Sequence, residues 1–307
     1  MPSALCAGES QPLSPEELIA QGRYREAVPL LEAQRASMAK DGVHLALVVT
    51  LNNLGSAYYE LSRYRDAQRV YEESLLLRRR LNDAASRDAA RTLSNLGVVY
   101  LELRLIAKAR DTLQQAARAL ELQDPDGLPI TGVWLNLATA YKAERRVEDA
   151  EALFRRGLAA RERILGPAHR DVAMALNNLG VLLRDRNQLV DAQPLLERAV
   201  AIWERTLGLE HPQVAAGLHN LGVIYAGLEL NTRAEECYDR ALRIAEKALP
   251  PDHPNLAAYR SSYALLLGKT GHKKEARRLE NLARQGLKQS ETGNLLGYTI
   301  EAREKPH

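Results

Sequence analysis

The chain has 307 residues and a formal net charge of +3, from 42 Lys and Arg residues against 39 Asp and Glu residues. Acidic and basic residues are interleaved along most of the predicted helices, which is typical of solvated surfaces and argues against a nucleic-acid-binding stripe. No apolar run approaches the ~20 residues of a membrane-spanning helix, and the two cysteines, Cys6 and Cys237, are too few for a disulfide framework.

The chain opens with residues 1–14, which we predict to be a flexible N-terminus. Residues 3–8 resemble the small-residue end of a secretory signal peptide, but the basic start and the apolar middle of such a peptide are missing. The sequence as written therefore predicts a cytoplasmic protein. A trimmed signal peptide would instead predict a periplasmic or secreted one.

The sequence of residues 15–40 predicts one full helix, preceded by only a short part of its partner helix. Their Ala27 and Pro29 match Ala192 and Pro194 in the second half of a later repeat. The terminal unit of a repeat array must bury one face without a neighbour. We therefore predict an N-terminal half-repeat that caps the array.

The rest of the chain is dominated by one motif, a leucine followed by a small residue. It occurs at Leu54-Gly55, Leu96-Gly97, Leu137-Ala138, Leu179-Gly180 and Leu221-Gly222, with a degenerate copy at Tyr263-Ala264. The steps between copies are 42, 41, 42, 42 and 42 residues. In each copy an alanine lies twelve residues beyond the small residue, and in most a large apolar residue follows four positions later. Apolar residues at i, i+3, i+4 and i+7 predict two amphipathic helices in every copy.

These motifs resemble the tetratricopeptide repeat, which has Leu-Gly-x-x-Tyr in its first helix and Ala-x-x-x-Phe in its second. The 42-residue period, together with turns such as Leu207-Gly208, narrows the resemblance to the kinesin light chain type. The resemblance implies an all-α fold: a right-handed superhelical α-solenoid of stacked antiparallel helix pairs. About six such units, preceded by the half-repeat, would occupy residues 15–285. The first helices would line a concave groove.

Three histidines recur at the same step in the turns between repeats: His169, His211 and His253. A shared metal ion would need contacts of ~2 Å, whereas packed helices lie ~8–10 Å apart. The pattern therefore predicts turn residues that bond to backbone groups at helix ends. We predict no metal ligands and no cofactor.

An asparagine stands immediately before each leucine of the repeated motif, although asparagine is a poor residue for a helix interior. The five are Asn53, Asn95, Asn136, Asn178 and Asn220. The resemblance implies that this position faces the groove, where an amide can bond to the backbone of an extended peptide. Asn52, Asn177 and His219, each one position earlier, would extend the polar strip. The alternative is that these asparagines bond across neighbouring helices.

Charged residues at the groove edge differ between the two halves of the chain. Glu60 and Glu102 lie toward the N-terminal end, whereas Lys142 and Arg184 lie toward the C-terminal end, with Asp185 weakening the contrast. We include Lys142 and Arg184 in the predicted groove as residues that attract acidic ligand groups. The alternative is an ordinary solvated surface.

These features predict a non-enzymatic scaffold that binds an extended peptide or a partner segment in its groove. The glycines form no phosphate-binding loop, and no catalytic residues are predicted. An alternative is a structural or assembly protein that acts through its convex face, its ends or its C-terminal tail. A nucleic-acid-binding helical repeat would need a basic, aromatic-rich face, which the groove positions lack. The sequence does not identify the protein or peptide partner.

The C-terminal tail, residues 286–307, is predicted to be partly extended. Leu296, Tyr298 and Ile300 alternate with polar or small residues, which gives one apolar edge. This edge could cap the last helix. It could instead occupy a groove, which would inhibit the same chain or support self-association with another copy.

Overall fold

The computed structural model describes residues 13–289, except for residues 41, 43 and 252. Within these residues the chain forms fourteen α-helices and no β-strand. The signal-like residues 3–8 and the predicted extended segment around Tyr298 lie outside the described residues. None of the described helices combines the length and the apolar character required to cross a membrane.

The helices are similar in length after the first. They are α1 Pro15–Ala20, α2 Tyr24–Met38, α3 Leu45–Glu60, α4 Tyr64–Arg80, α5 Arg87–Glu102, α6 Ile106–Gln123, α7 Leu128–Ala143, α8 Val147–Leu165, α9 Arg170–Asp185, α10 Leu189–Leu207, α11 Pro212–Gly227, α12 Asn231–Ala248, α13 Pro254–Lys269 and α14 Lys273–Gln289. The six-residue α1 and the full-length α2 match the predicted half-repeat. The last helix extends to Gln289, so residues 286–289 are helical.

The chain is divided into two compact units. The described part of the first, residues 13–123, contains α1–α6, and that of the second, residues 124–289, contains α7–α14. Within each unit, consecutive helices pack as hairpins, and each hairpin packs on the next. These stacked helix pairs confirm the predicted all-α solenoid class.

A three-residue turn joins the two helices of every hairpin from α3/α4 onward. Its middle residue adopts a left-handed conformation, for example Arg104 with φ 58° and Arg145 with φ 61°. The backbone N–H of the following residue then bonds five residues back, as Leu105 does to Tyr100 at 2.9 Å. This bond satisfies a carbonyl at the helix end and reverses the chain direction.

The small residue of each repeated motif allows the two helices of a hairpin to approach closely. A Cβ atom placed on Gly55 would lie 2.5 Å from the ring of Tyr71, and one placed on Gly97 would lie 2.5 Å from Leu113. Both distances are too short for real Cβ contacts. The small residue of the first helix therefore packs directly against the large apolar residue of the second helix.

In α5 and α11, the tyrosine of the repeated motif links the first helix to the second helix before it. The hydroxyl groups of Tyr100 and Tyr225 donate to Glu72 and Glu197, each at 2.7 Å. Burial, together with the bonded carboxylate, raises the pKa of Tyr225 to about 12. These bonds therefore join neighbouring hairpins within a unit.

The repeated histidines lie at the N-caps of first helices. The Nδ1 atoms of His169, His211 and His253 accept hydrogen bonds from the backbone N–H two residues later, at 3.2, 3.2 and 3.1 Å. His44 makes a similar bond at the start of α3. The predicted role of the three histidines as helix-end residues is confirmed. Among the described residues, no group of three His, Cys, Asp or Glu side chains is placed to hold a metal ion.

Candidate interaction groove

Within the second unit, Asn220 lies on the face where the first helices of successive repeats meet. We call Asn53, Asn95, Asn136, Asn178 and Asn220 the asparagine ladder. The contacts of Asn220 locate this face, because its side chain on α11 meets Arg184 and Asn177 on α9. The first two members belong to the first unit and the other three to the second.

Three members of the ladder are nearly buried and lack a side-chain hydrogen-bond partner among the described residues. Asn53 is 5% exposed, Asn95 is 8% exposed and Asn136 is 4% exposed. Among the described residues, the side-chain nitrogen and oxygen atoms that are fully enclosed and lack a hydrogen bond belong to Arg78, Trp134 and Arg260. None of them belongs to the three asparagines. These three amides therefore reach solvent through a narrow opening and can still donate and accept hydrogen bonds.

The fourth and fifth members, Asn178 and Asn220, differ in the hydrogen bonds that their amides make. Asn178 accepts one contact of 3.5 Å from Asn177, at the outer limit for a hydrogen bond, and its own Nδ2 donates to no described residue. Asn220 accepts from Arg184 at 3.0 Å and donates to Asn177 at 3.0 Å. The alternative of bonding across neighbouring helices therefore describes Asn220, but not Asn53, Asn95 or Asn136.

The residues one position earlier point between helices. Asn52 accepts bonds from Ser74 at 3.0 Å and from Thr92 at 3.1 Å, and thereby links three helices of the first unit. Asn177 is completely buried and accepts the bond from Asn220. One step along a helix rotates a side chain by ~100°, which is enough to turn it from the groove to the neighbouring helix.

His219 also lies between helices. Its Nε2 is 2.9 Å from the hydroxyl of Ser262, and its ring stacks on Tyr259 with centroids 4.4 Å apart. Burial, and to a lesser extent the nearby charge of Arg184, lowers the pKa of His219 to about 3. The imidazole is therefore neutral at physiological pH. In this arrangement Asn52, Asn177 and His219 are engaged with neighbouring side chains, and their contact with a ligand stays a prediction.

The two predicted basic residues of the second unit share one carboxylate. The Nζ of Lys142 on α7 lies 2.6 Å from Asp185 on α9, and the guanidinium of Arg184 lies 2.8 Å from the same side chain. Burial lowers the pKa of Lys142, and the carboxylate of Asp185 acts against this shift. Sequence reasoning noted Asp185 only as a neighbour of Arg184. The contact between Asp185 and Lys142 joins two successive repeats, and no pattern in the sequence indicates it.

The position three residues after each ladder asparagine, and after Ser262 at the equivalent place in α13, changes character along the chain. Val98, Thr139 and Val181 are buried, whereas Leu265 on α13 is 64% exposed. Lys269, one turn further along α13, is exposed as well. The groove face of the second unit thus has amides and charges on α7 and α9 and an apolar side chain on α13.

Comparisons with known proteins agree with this architecture. A family model described as tetratricopeptide repeat matches residues 18–80, 49–121, 130–205 and 213–289. Tetratricopeptide repeat protein 19 homolog, mitochondrial, from Drosophila melanogaster is 30% identical over 133 residues, which cover 42% of this chain and 36% of that protein. Protein KINESIN LIGHT CHAIN-RELATED 3 from Arabidopsis thaliana is 24% identical over 186 residues, which cover 56% of this chain and 29% of that protein. The chain thus spans about a third of the length of these relatives.

The fold is also similar to that of a solved structure, over most of the length of both chains. BtubC (BKLC) from P. vanneervenii superimposes with a TM-score of 0.59 at 21% sequence identity. The match covers 80% of this chain and 95% of that one. At this level of identity the likeness concerns the fold alone.

Proposed function

Because the chain belongs to the tetratricopeptide repeat family, with repeats of the kinesin light chain-like type, we propose that it is a non-enzymatic scaffold for an extended peptide. Repeats of this family generally mediate protein–protein interaction. The peptide, or an extended segment of a partner protein, binds along the first helices of one unit and contacts the ladder asparagines of that unit. Amide side chains suit this role, since they supply donors and acceptors but no acid–base chemistry.

The observation that carries this proposal is the set of nearly buried, unpartnered amides of Asn53, Asn95 and Asn136. A nearly buried amide without a partner costs about 1–3 kcal/mol relative to a bonded one. An extended peptide presents backbone N–H and C=O groups that can satisfy such an amide. It rises by ~3.3 Å per residue, so side chains on packed helices ~10 Å apart meet every third residue.

The first prediction replaces two ladder residues of the second unit together, Asn136→Ala with Asn178→Ala. Helical content should stay unchanged and the melting temperature should stay the same or rise slightly, since alanine is the better helix former. The affinity for a peptide selected from a random library should fall by about 1–3 kcal/mol for each hydrogen-bonding pair lost. Circular dichroism and calorimetry measure the two quantities.

The matched control is Asn220→Ala, which removes an amide already bonded to Arg184 and Asn177. This variant should melt earlier, because it leaves a buried guanidinium and a buried amide with one partner fewer. An early melting transition of the Asn136/Asn178 variant would mean that those amides support the fold. Unchanged peptide affinity in a stable double variant would instead favour a structural or assembly role through another face.

A further inference from the structure

The exposed face of α14, in the second unit, carries basic residues along its length. With 3.6 residues per turn, five of them lie within an arc of about 140° and span ~16 Å of the helix. They are Lys273, Lys274, Arg277, Arg278 and Arg284, all exposed, and we call them the basic face of α14. Asn281 and Gln285 share this arc and are uncharged, while Glu275 and Glu280 lie outside it, one on each side. This face is therefore strongly positive, although the net charge of the whole chain is only +3.

Most of these cations are unpaired within the described part of the chain. All of them except Arg284 form no ion pair within 4.0 Å there. Arg284 has one partner, Glu280, at 3.7 Å, and 72% of the arginine side chain is exposed. On the preceding second helix, α12, Arg243 and Lys247 instead pair with carboxylates at 2.8 and 2.7 Å. The basic face of α14 therefore has charges available for an external anion.

The start of α14 is an unfavourable place for cations. Lys273 and Lys274 are its first two residues, where the helix dipole presents partial positive charge. The second helices α8 and α10 of the same unit have acidic residues and no cation in the first turn. A face that only had to be solvated could mix both signs of charge, as most of the chain does. Neither helix stability nor solvation therefore accounts for the two lysines.

We propose that the basic face of α14 binds an acidic helix of a partner protein. The pairs Lys273 with Arg277 and Lys274 with Arg278 repeat at i and i+4, or ~6 Å along the axis. A second helix with carboxylates at the same repeat can meet these cations in register. The site lies on a second helix, so it is separate from the groove and goes beyond the proposed function.

Two other polyanions fit this face less well. The described side chains of α14 include no exposed aromatic residue that could stack on the bases of a nucleic acid. They also include no exposed apolar residue that could enter a lipid bilayer. An acidic helix requires neither contact, because its carboxylates meet the cations directly.

The first test uses an alanine-based helical peptide with glutamates at i, i+4, i+7 and i+11 as the probe. A control peptide has the same composition, with its glutamates spread evenly around the helix. Fluorescence anisotropy of the labelled peptides measures binding. The full chain should bind the first peptide more tightly than the control, and binding should weaken as the salt concentration rises. Equal affinity for the two peptides would overturn the docking of an acidic helix.

The variant for this test is Lys274→Gln with Arg278→Gln. It should bind the first peptide about fivefold more weakly, as expected for the loss of two exposed charge pairs. The matched control is Arg243→Gln with Lys247→Gln on α12, which makes the same change in net charge and should bind nearly as tightly as the wild type. Equal losses in the two variants would show that total charge, and not the basic face, attracts the peptide.

Hydrogen exchange locates the bound peptide. Binding should slow amide exchange in α14, because the docked helix reduces local opening, and should leave α7 and α9 unchanged. Slower exchange in α7 and α9 without a change in α14 would place the peptide in the groove and overturn the proposed site. The groove variant Asn136→Ala with Asn178→Ala should bind the acidic helix normally, so failure of the proposed function would not affect this result.

A last pair of measurements tests the alternatives. Lys273→Gln with Lys274→Gln should weaken peptide binding and raise the melting temperature slightly, because it removes cations from the start of α14. A lower melting temperature would mean that the lysines support the fold. Double-stranded RNA, or vesicles of phosphatidylglycerol and phosphatidylcholine, should bind more weakly than the peptide at the same salt concentration. Tighter binding of either one would overturn the assignment to a protein partner.

Discussion

At the residue scale, the small residue after each motif leucine sets the distance between the two helices of a hairpin. Gly97 shows this most clearly, because the space that a Cβ atom would occupy is filled by the branch point of Leu113. The third repeat has Ala138 at this position, opposite Phe154.

Gly97→Ala should lower the free energy of unfolding by about 1–3 kcal/mol, since overpacking forces Leu113 or the helix backbone to shift. Denaturant titration measures this change. Gly268→Ala is the matched control, because no atom lies within 4 Å of the added Cβ atom and Gly268 lies inside helix α13. That variant should be stabilised by about 0.5–1 kcal/mol through helix propensity. Equal effects of the two substitutions would show that close approach is unimportant.

His219 makes stability depend on pH. Its pKa in the folded chain is about 3, below the ~6.5 of an unperturbed histidine, so the unfolded chain binds the proton first. The stabilising contribution is complete above pH ~6.5 and is lost as the pH falls toward 3. His219→Gln should therefore reduce the slope of unfolding free energy against pH between 6.5 and 5, above the range in which carboxylates titrate.

The control for this measurement is His272→Gln, which changes an exposed histidine in the turn before α14. This substitution should leave the slope close to that of the wild type. If His219→Gln also retained the wild-type slope, the buried imidazole would not be the group responsible.

At the element scale, the turns before α3, α9, α11 and α13 each end in a histidine that begins the next first helix. The Nδ1 atom of His211 accepts the backbone N–H of Gln213 at 3.2 Å. Burial, with a smaller effect from Arg170, lowers the pKa of His211 and so favours the neutral form that can accept this bond. The following Pro212 suits the first helical position, since its missing N–H would have no partner there.

His211→Ala should lower the free energy of unfolding by about 0.5–2 kcal/mol, because the first turn of α11 loses its side-chain cap. His211→Asn should retain most of the stability, because asparagine is a good N-cap residue. Thermal unfolding of the three proteins measures the difference. A His211→Asn variant as unstable as His211→Ala would indicate that the imidazole acts through packing and not through the cap.

At the scale of the whole molecule, the net charge of +3 is small, so ligand attraction depends on where the charges lie. Lys142 and Arg184 lie beside Asn220 of the asparagine ladder, whereas pairs such as Arg243–Asp239 and Lys247–Glu210 involve exposed side chains of α12. Local arrangements of this kind change association rates more than they change affinity.

Lys142→Glu with Arg184→Glu should slow the association of an acidic peptide and flatten the dependence of its rate on salt. Stopped-flow measurements over a salt series test this. The control is Arg243→Glu with Lys247→Glu on α12, which makes the same change in net charge at exposed positions. If both double variants slowed association equally, the total charge would be responsible and the groove charges would have no special role.

Much of the fold could be predicted because its signals are local and repeated. Three of these signals act within one hairpin or at one helix end. They are the small residue of the first helix, the alanine of the second helix and the capping histidine. Repetition at a nearly constant step multiplies these signals. The details of the ladder could not be predicted in the same way. Adjacent positions such as Asn177 and Asn178 have the same residue type and differ only in the direction that the helix gives them.

The sequence by itself determined the helix pairs, the half-repeat at the start and the role of His169, His211 and His253, since each follows from spacing along one chain segment. Only the tertiary structure decided which polar side chains bond to residues of a neighbouring repeat. Asn136 stays unpartnered, Asn220 bonds across to Asn177, and Asp185 lies between Lys142 and Arg184. The physical reason is that these contacts join residues from different repeats, and their geometry depends on how neighbouring helices pack.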